Sequence, residues 1–380
     1  MVLGILSCSV YLKTTYRMRT NCYKRLGDYI REVDVRNRDL SVTTLVGLTI
    51  NKAFIPSVAN VIGTDLSNYK VIRKEQFACS LMQVSRDGKM PVAMFENATA
   101  IMSPAYPMFE VIDKSILMPQ YLMMWFSRKE FDREASFYAV GGVRGSLTWE
   151  DFCDMKLPIP SIERQRVIVA EYETLSKRIR LNEQMISTLE ATAQTLYRKM
   201  FVDGIDKENL PEGWRMGTLG EVAIFKYGKL VDKHSQSYGY PYPVFSGYAI
   251  TGYTNEYTLK EQTIVIIARG DAGTGKICMS PKKCFLSNLA IAIETKDEII
   301  KDYLYYHLLS LDTMSLRSGS AQAQITINNI EPFEIMLPTR EMCIDFSKKI
   351  ESLYCDITLR KQENSKIDEL QSLLLAKMGQ

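Results

Sequence analysis

The feature that most constrains this chain is a heptad repeat that runs through residues 157–200. From Glu163 to Met200 the sequence contains neither Gly nor Pro. Apolar residues recur there every three and four positions, a pattern typical of a coiled-coil helix, with one polar seam position at Asn182. At 1.5 Å per residue such a helix is roughly 50 Å long. It is longer than an ordinary core helix and needs a partner for its seam.

A second copy of the pattern, at residues 337–378, offers that partner. Leu157-Pro158 matches Leu337-Pro338, and after a two-residue contraction the helical positions match at a constant offset of 178. We predict that the two helices pair as an antiparallel intramolecular coiled coil; the alternative is that each packs on its own domain. The predicted seam consists of Ile168, Tyr172, Leu175, Ile179, Asn182, Ile186, Leu189 and Leu196 in the first helix and Leu353, Ile357, Ile367 and Leu374 in the second, with Arg360, Asn364 and Gln371 at further seam positions.

Two globular regions precede the helices, and they share the order of their parts while differing in sequence. Each opens on a similar segment, KRLGDY at 24–29 and GTLGEV at 217–222, and continues through strand-like runs, a helix and a loop of small residues to Leu-Pro. We predict an α+β fold in which the two domains alternate with the two helices. The predicted parts are an N-terminal tail at 1–22, a first domain at 23–156, a central helical spacer at 157–202, a second domain at 203–336 and a distal helical spacer at 337–380.

Composition narrows the class of protein. Hydrophobic residues make up 46% of the chain and charged residues 24%, as in an ordinary globular protein, and the net charge of +3 permits nucleic-acid binding without requiring it. The eight cysteines form no C-x-x-C pair and there are only two histidines. We therefore expect no metal site, no disulfides and a cytoplasmic location. The apolar run at residues 1–12 is too short to span a membrane, and we expect a loose tail there or a start at Met18.

Two segments partly match the sequence motifs of enzymes, one of nucleotide hydrolases and one of amino-methyltransferases. Residues 270–276 read GDAGTGK, the first seven positions of a phosphate-binding loop, but Ile277 stands where Ser or Thr holds magnesium, and the text that follows is not helical. Residues 103–106 read SPAY, which differs from the [DNS]-P-P-[YF] motif of amino-methyltransferases at Ala105 and lacks the upstream F-x-G-x-G. We predict no catalytic residues in this chain, because no set of nucleophile, base and acid rises above chance.

Basic and aromatic residues on predicted loops are the remaining candidates for chemistry. Arg and Lys bind phosphates or guanine edges, and Gln can pair with adenine. Taken singly, each is more often plain solvated surface, so the hypothesis depends on their presence in both domains. The candidate DNA-binding residues are Lys52, Arg86, Lys89, Tyr106, Tyr138 and Arg144 in the first domain and Lys226, Tyr227, Lys229, Tyr248, Arg269, Lys276, Gln322 and Gln324 in the second. Asp87-Gly88 further predicts a hairpin between strands at 81–84 and 92–95.

From Tyr23 to Met378 the chain resembles the specificity subunits of type I restriction–modification systems. The resemblance is carried by several segments together: YKRLGDYI, FIPSVANVIGTDLSNYKVIRKEQFA, YLMMWFSRKEFDREA, VRGSLTWEDF, LPIPSIERQRVIVAEY, LNEQMISTLEATAQTLYRKMFVD and NLPEGW. It implies two target-recognition domains, each reading one half of a bipartite, asymmetric sequence in double-stranded DNA. It also implies that the helices hold the domains apart, in a pseudo-twofold arrangement, and dock two methyltransferase subunits.

The resemblance implies that the chain itself is non-catalytic and binds no cofactor. S-adenosylmethionine is then expected on the methyltransferase subunits, with ATP and Mg²⁺ on restriction subunits that join them, and no membrane partner is expected. Two alternatives stay open from the sequence. One is a coiled-coil assembly scaffold that reads no DNA, and the less favoured one is a fused DNA methyltransferase.

Overall fold

The computed structural model describes residues 23–57, 63–82, 84–140, 145–232, 236–237, 239–270, 273–318 and 324–379. These residues form two compact units. One includes the described residues up to 182 and those from 362 onward, and the other spans 183–361. Each unit therefore holds one globular domain, part of the first long helix and part of the second.

The first domain consists of short strands and helices. Its described strands are β1 (Tyr23–Arg25), β2 (Ile30–Glu32), β3 (Val46–Leu48), β4 (Phe54–Pro56), β5 (Lys70–Arg73), β6 (Phe77–Cys79), β7 (Val92–Met94), β8 (Thr99–Met102), β9 (Met108–Val111) and β10 (Lys156–Pro158). Its described helices are α1 (Val84–Asp87), α2 (Pro119–Phe126), α3 (Lys129–Ala139) and α4 (Trp149–Asp154), followed by the long helix α5 (Ile162–Phe201).

The second domain has a similar content. Its described strands are β11 (Arg215–Thr218), β12 (Ala223–Tyr227), β13 (Tyr242–Ser246), β14 (Ala249–Thr254), β15 (Ile264–Ile267), β16 (Ile277–Met279), β17 (Phe285–Leu286), β18 (Ala290–Thr295), β19 (Arg317–Ser318), β20 (Gln324–Ile325) and β21 (Glu334–Leu337). Its described helices are α6 (Leu219–Val222), α7 (Lys301–Ser310) and α8 (Ile327–Ile330), followed by the long helix α9 (Arg340–Lys377).

The central sheets of the two domains have the same strand order. The first sheet runs β2-β9-β6-β7 and the second runs β12-β18-β15-β16, with every pair antiparallel. The opening strand of each domain also pairs with its closing strand, β1 with β10 and β11 with β21. The duplication is therefore present in the strand topology, although the two domain sequences differ.

In each domain a buried tyrosine forms a hydrogen bond with the strand that precedes the long helix. Tyr121 on α2 donates a hydrogen bond to the carbonyl of Pro158 at 3.2 Å, and Tyr303 on α7 donates to the carbonyl of Met336. Both rings are almost fully buried. Each tyrosine is followed by a buried leucine, Leu122 or Leu304, so the two Tyr-Leu pairs occupy equivalent places.

Aromatic packing forms the core of the first domain. Phe77 and Phe109, which face each other on β6 and β9, stack with ring centroids 5.0 Å apart, and Phe126 from α2 meets both rings edge-on. All three rings are fully buried. Burial of a side chain of this size stabilises the fold by about 1.5–3 kcal/mol, so this cluster fixes α2 on the sheet.

The long helix α5 is anchored at its start by a buried glutamine. Gln165 is 0% exposed. Its amide nitrogen donates to the carbonyls of Ile116 and Pro160, at 2.7 and 2.9 Å, and its amide oxygen accepts from the backbone N–H of Met118 at 2.9 Å. Because a buried amide needs such partners, Gln165 sets where α5 leaves the first domain.

Within the first unit, α5 and α9 run antiparallel. Gln371 donates to Ser176 at 2.7 Å, while Asn182, further along α5, donates to Asn364, which lies earlier in α9, at 2.8 Å. Arg178 and Glu363 form an ion pair at 2.8 Å beside them. The antiparallel pairing predicted from the sequence is confirmed here.

Within the second unit, the two helices also run antiparallel. Glu190 on α5 pairs with Lys361 on α9 at 3.3 Å. Further along α5, the Tyr197 and Phe201 rings lie 6.2 and 5.3 Å from the ring of Phe346, near the start of α9. The paired positions therefore move in opposite directions along the two helices.

Burial follows the predicted seam. All twelve predicted seam residues are buried or half-buried, and the polar positions Arg360, Asn364 and Gln371 are half-buried. Leu181 and Leu359, which the internal repeat also matches, are 45% and 58% exposed and lie off the seam. Other positions of the helices, such as Val169 and Tyr197, are buried as well although they lie outside the predicted seam.

The hairpin predicted around Asp87-Gly88 is wrong in its strands. Residues 84–87 form the short helix α1, and β7 pairs with β6 (Phe77–Cys79) rather than with residues 81–84. Gly88 has a φ of +62°, a left-handed conformation that glycine adopts easily, and it ends helix α1.

In the part of the chain that the structure describes, no helix combines the length and the apolar character that crossing a membrane requires.

Candidate nucleic-acid interface

Two loops that carry candidate cations lie at equivalent places in the two central sheets. The connection between β6 and β7 carries Arg86 and Lys89, and the connection between β15 and β16 carries Arg269 and Lys276. Because the two sheets share one strand order, these connections correspond to each other. All four side chains belong to exposed residues. The duplicated topology therefore presents a pair of cations twice.

In the first domain, Asp132 holds the region around this loop together. Its carboxylate accepts from the backbone N–H of Met90 at 3.1 Å and pairs with Lys52 at 2.8 Å. Helix α3, which carries Asp132, packs directly on α1. The loop is thereby fixed to α3 by a charge-assisted contact.

The expectation that Lys52 is an exposed cation is wrong. Its side chain is only 10% exposed, pairs with Asp132, donates to the carbonyl of Phe126 and lies 5.0 Å from the centroid of the Phe131 ring. Burial lowers the pKa of its amine, and the hydrogen bond with Asp132 opposes that shift. Lys52 is an internal structural cation, so we leave it out of the set expected to contact DNA.

The other described candidates of the first domain lie in two separate regions, one at α1 and α3 and one between β8 and β9. Arg86 is exposed but bonded to Asp87 at 2.7 Å, a contact that lowers the pKa of that carboxyl. Tyr138, 42% exposed, lies near the end of α3, the helix that packs on α1. Tyr106 lies apart from them, half-buried in the turn between β8 and β9 and packed against an apolar cluster. Arg144 lies outside the described residues.

Sequence reasoning did not select Phe137, which precedes Tyr138 on α3. Its ring is 77% exposed and meets the Tyr138 ring edge-on at 6.0 Å. The sequence could have indicated this exposure. Phe137 follows Arg133 by four positions and therefore lies on the same, polar side of α3. An exposed aromatic pair beside a cationic loop can stack on bases as well as contact a protein.

In the second domain, the loop from β15 to β16 is held from several sides. The Lys276 amine lies 4.1 Å from the centroid of the Tyr248 ring, a cation–π contact. Gly273 leaves room for that ring, since a Cβ there would lie 3.1 Å from a Tyr248 carbon. Arg317, which sequence reasoning also missed, donates to the carbonyl of Thr274. Lys276 is therefore an exposed cation with a defined orientation.

Arg269 and Gln324 lie close to this loop. Arg269 is exposed just beyond the end of β15, and the preceding residue, Ala268, accepts from the backbone N–H of Ile325 at 2.8 Å. That bond places β20, with the exposed Gln324, beside Arg269. Gln322 lies outside the described residues.

Two of the three candidate residues on and just after β12 already make contacts within the protein. Lys226 pairs with Glu294 on the neighbouring strand at 2.5 Å. The Tyr227 hydroxyl accepts from the backbone N–H of Ile327 at 3.2 Å, which ties β12 to α8, and the ring remains 47% exposed. Lys229, just beyond the strand, is exposed. Of these three residues, Lys229 is the one placed to reach a phosphate without first breaking such a contact.

The enzyme-like motifs do not form enzyme sites. After Lys276 the chain enters strand β16, whereas a phosphate-binding loop leads into a helix. The SPAY segment is a turn between β8 and β9. Among the described residues, no cluster of three or more His, Cys, Asp or Glu side chains is arranged to hold a metal ion. What remains is a set of exposed cations, aromatic rings and an amide, which are groups suited to binding rather than to bond cleavage.

Comparison with known families matches the chain to the type I restriction modification DNA specificity domain. The family profile matches residues 81–191 and again residues 211–369, well over half of the chain. The chain belongs to this family. Each match joins much of one globular domain to part of the long helix that follows, so the family unit itself is duplicated.

Curated relatives from this family include two specificity subunits. The chain is 22% identical over 280 residues to a protein assigned as the specificity subunit of the type I restriction enzyme MjaX of Methanocaldococcus jannaschii, covering 67% of this chain and 65% of that protein. It is 20% identical over 367 residues to the HindI specificity subunit of Haemophilus influenzae, covering 71% of this chain and 79% of that protein. The match thus spans just under two thirds of the MjaX protein.

A solved structure supports the fold. The S subunit of a type I restriction-modification system from M. genitalium matches with a TM-score of 0.56 at 16% identity, covering 96% of this chain and 98% of that one. The α+β fold predicted from the sequence is therefore confirmed.

Proposed function

We propose that this specificity subunit reads a bipartite, asymmetric sequence in double-stranded DNA, with each globular domain reading one half. The observation that carries the proposal is the pair of equivalent loops, Arg86 with Lys89 and Arg269 with Lys276, in two domains of the same topology but different sequence. Because the two loops lie at equivalent places, both domains can dock on a DNA duplex in the same way. Because the loops carry different side chains, the two domains can read different half-sites. DNA reading then takes place in the cytoplasm.

Affinity and specificity come from different side chains. Exposed, unconstrained lysines such as Lys89 and Lys229 neutralise phosphates, which gives salt-dependent binding without sequence preference. Side chains held in one orientation discriminate bases, and each well-made base contact is worth about 1–3 kcal/mol. Lys276, oriented by Tyr248, and the neighbouring Arg269 and Gln324 are the base-reading group that we propose for the second domain.

The long helices act as a spacer between the two readers and as a docking surface. Polar contacts along the seam, such as Asn182 with Asn364, fix the register of α5 against α9. A fixed register gives the two half-sites a fixed separation. We propose that two methyltransferase subunits dock on this chain and transfer methyl groups from S-adenosylmethionine, and that restriction subunits using ATP and Mg²⁺ join them. No step of that chemistry uses a residue of this chain.

Methylome sequencing tests the proposal. A host lacking other DNA methyltransferases is given this chain together with the methyltransferase subunit of the same system. We expect one methylated motif made of two half-sites separated by unspecified bases, and no methylation when either protein is omitted. A coiled-coil scaffold without DNA reading predicts instead that methylation, with an active methyltransferase present, shows no motif or does not depend on this chain.

A further inference from the structure

A tight turn before β18 lies at one end of the central sheet of the second domain. Residues 287–290 form this turn, which is closed by a hydrogen bond from the backbone N–H of Ala290 to the carbonyl of Ser287 at 3.2 Å. The hydroxyl of Ser287 donates to the hydroxyl of Ser246, in the neighbouring strand β13, at 2.9 Å. These bonds fix the position of the turn, and with it the position of Asn288.

Exposed cations flank the turn on both sides. On the β12 side, the backbone N–H of Lys229 donates to the carbonyl of Leu286 at 2.9 Å. On the β15 side, the backbone N–H of Arg269 donates to the carbonyl of Leu289 at 3.2 Å. Both Lys229 and Arg269 are exposed. The segment that carries Asn288 is therefore bound on either side by a residue whose charge suits the phosphates of DNA.

The side chain of Asn288 is left available at this turn. Asn288 is half-buried, and its amide forms no hydrogen bond with any residue that the structure describes. The two serines that hold the turn are, in contrast, bonded to each other. A polar side chain without a protein partner bonds to water or to a ligand. The Asn288 amide therefore offers a donor and an acceptor, in a fixed place, between two cations.

The first domain has a turn at the equivalent place, before β9. Equivalent backbone hydrogen bonds from the ends of both neighbouring strands hold the two turns: Val33 to Met108 and Cys79 to Pro107 in the first domain, Gly228 to Ala290 and Ala268 to Leu289 in the second. Tyr106 and Asn288 each lie two residues before the first residue of the strand, so they occupy the same position. One position of the duplicated frame thus carries a different side chain in each domain, as reading two different half-sites requires.

We propose that Asn288 is a specificity-determining residue that reads an adenine in the half-site of the second domain. An asparagine amide matches adenine in the major groove, because its oxygen accepts from the N6 amino group while its nitrogen donates to N7. Lys229 then holds a phosphate on one side, and Arg269 contacts a neighbouring base on the other. This inference rests on the proposed function, in which the second domain reads one half of the target.

Two variants of the full-length chain, each assembled with the methyltransferase subunit of the same system, test the inference. Asn288→Ala removes the amide, and Asn288→Asp keeps its shape but replaces the donor by an acceptor. Asn255→Asp is the matched control, since Asn255 is exposed and follows Thr254, whose partner Tyr242 lies at the opposite end of β13 from Ser246. Binding to duplexes that vary each position of the methylated motif gives the base preference, and circular dichroism verifies folding.

We expect Asn288→Ala to lower the affinity for the preferred sequence about tenfold or more and to remove the preference for adenine at one position of one half-site. Asn288→Asp should move the preference at that position from adenine to cytosine, because a carboxylate accepts from the N4 amino group of cytosine. The other half-site should be read as in wild type by both variants. The Asn255→Asp control should keep every wild-type preference.

A purely structural role of Asn288 predicts instead that affinity falls for all sequences alike while the base preference stays that of wild type, and this result overturns the inference. A preference that changes at a position other than an A·T pair also overturns it. If wild type methylates a bipartite motif and both Asn288 variants read it unchanged, the role of Asn288 alone is refuted. A wild-type complex that methylates no bipartite motif contradicts the proposed function itself.

Discussion

Asn182 on α5 donates a hydrogen bond to the side-chain oxygen of Asn364 on α9 at 2.8 Å, in the middle of an otherwise largely apolar seam. Asn182 is fully buried and also donates to Glu363 at 3.0 Å. A polar pair in this position costs stability relative to leucine but favours one register, because any slip leaves a buried amide without its partner.

Removing one partner of this pair should therefore destabilise the protein. We expect Asn182→Ala to lower the free energy of unfolding by about 1–2 kcal/mol, since the Asn364 side chain loses its bond. In a double-mutant cycle, Asn182→Ala and Asn364→Ala should couple by about 1 kcal/mol, as contacting residues do. Urea unfolding measures both. Thr188→Ala, on the exposed side of α5, serves as control, and additive effects of the two asparagine changes contradict the register lock.

Lys52 should behave as a structural residue. Breaking its largely buried pair with Asp132, whose side chains are 10% and 14% exposed, leaves a carboxylate with no counter-charge. We expect Lys52→Met to cost about 3–5 kcal/mol of stability. Lys52→Met/Asp132→Leu should recover most of that loss. The salt dependence of DNA binding by the folded variant should equal that of wild type, and a reduced slope would instead indicate that Lys52 contacts phosphate.

His307 should make the second unit less stable in mild acid. It is buried against Tyr197, whose hydroxyl lies 2.8 Å from Nδ1, and its Nε2 has no hydrogen-bond partner among the described residues. Burial lowers the pKa of His307 to about 4. The unfolded chain binds the proton near pH 6.5. The stabilisation is therefore fully present above about pH 6.5 and is lost as the pH falls toward 4, by up to about 3 kcal/mol.

The measurement is urea unfolding at pH 7.5 and at pH 5 for wild type and His307→Gln. The variant should lose less stability between the two pH values than wild type does. Tyr197→Phe removes the hydrogen bond but keeps the titrating ring, so its pH dependence should resemble that of wild type. Equal pH dependence in wild type and His307→Gln refutes the assignment to His307.

Lys276 and Lys229 should affect DNA recognition differently. Because Tyr248 orients Lys276, we expect Lys276→Met to relax discrimination at one or two positions of a single half-site, with a loss of about 1–3 kcal/mol for the preferred base. Lys229→Met should weaken binding of all sequences alike and reduce the salt slope by about one. Binding measurements on a panel of half-site variants distinguish the two outcomes, and a uniform loss for Lys276→Met contradicts base reading by this residue.

The long helices were predictable because their signal is local and repeated. The seam extends through most of each long helix, and a partner of matching register lies in the same chain, so Ile168, Asn182 and Ile367 were identified before the structure. The strands are only two to six residues long. At that length a β-branched run and a turn signal do not decide between a strand and a single helical turn, which is why a strand was predicted up to Val84, where helix α1 begins.

The candidate site was predictable only in part. Loop position and residue type selected Lys276 and Arg269, which are exposed. The sequence carried no sign that Lys52 meets Asp132, 80 residues away, in a buried pair. It also did not show that Tyr106 packs against a core cluster, or that the loops of the two domains are equivalent, since that equivalence depends on strand order. Which of the exposed residues contact DNA stays a prediction.

The central claim is that α5 and α9 set the distance between two independent readers. Inserting one seven-residue repeat into both helices, after Asn182 and after Lys361, lengthens each by about 10 Å and keeps the seam in phase. Both positions lie where the chain passes from one compact unit to the other. Methylome sequencing should then show the same two half-sites with a changed spacer. An unchanged spacer with full methylation, or altered half-sites, would contradict the account.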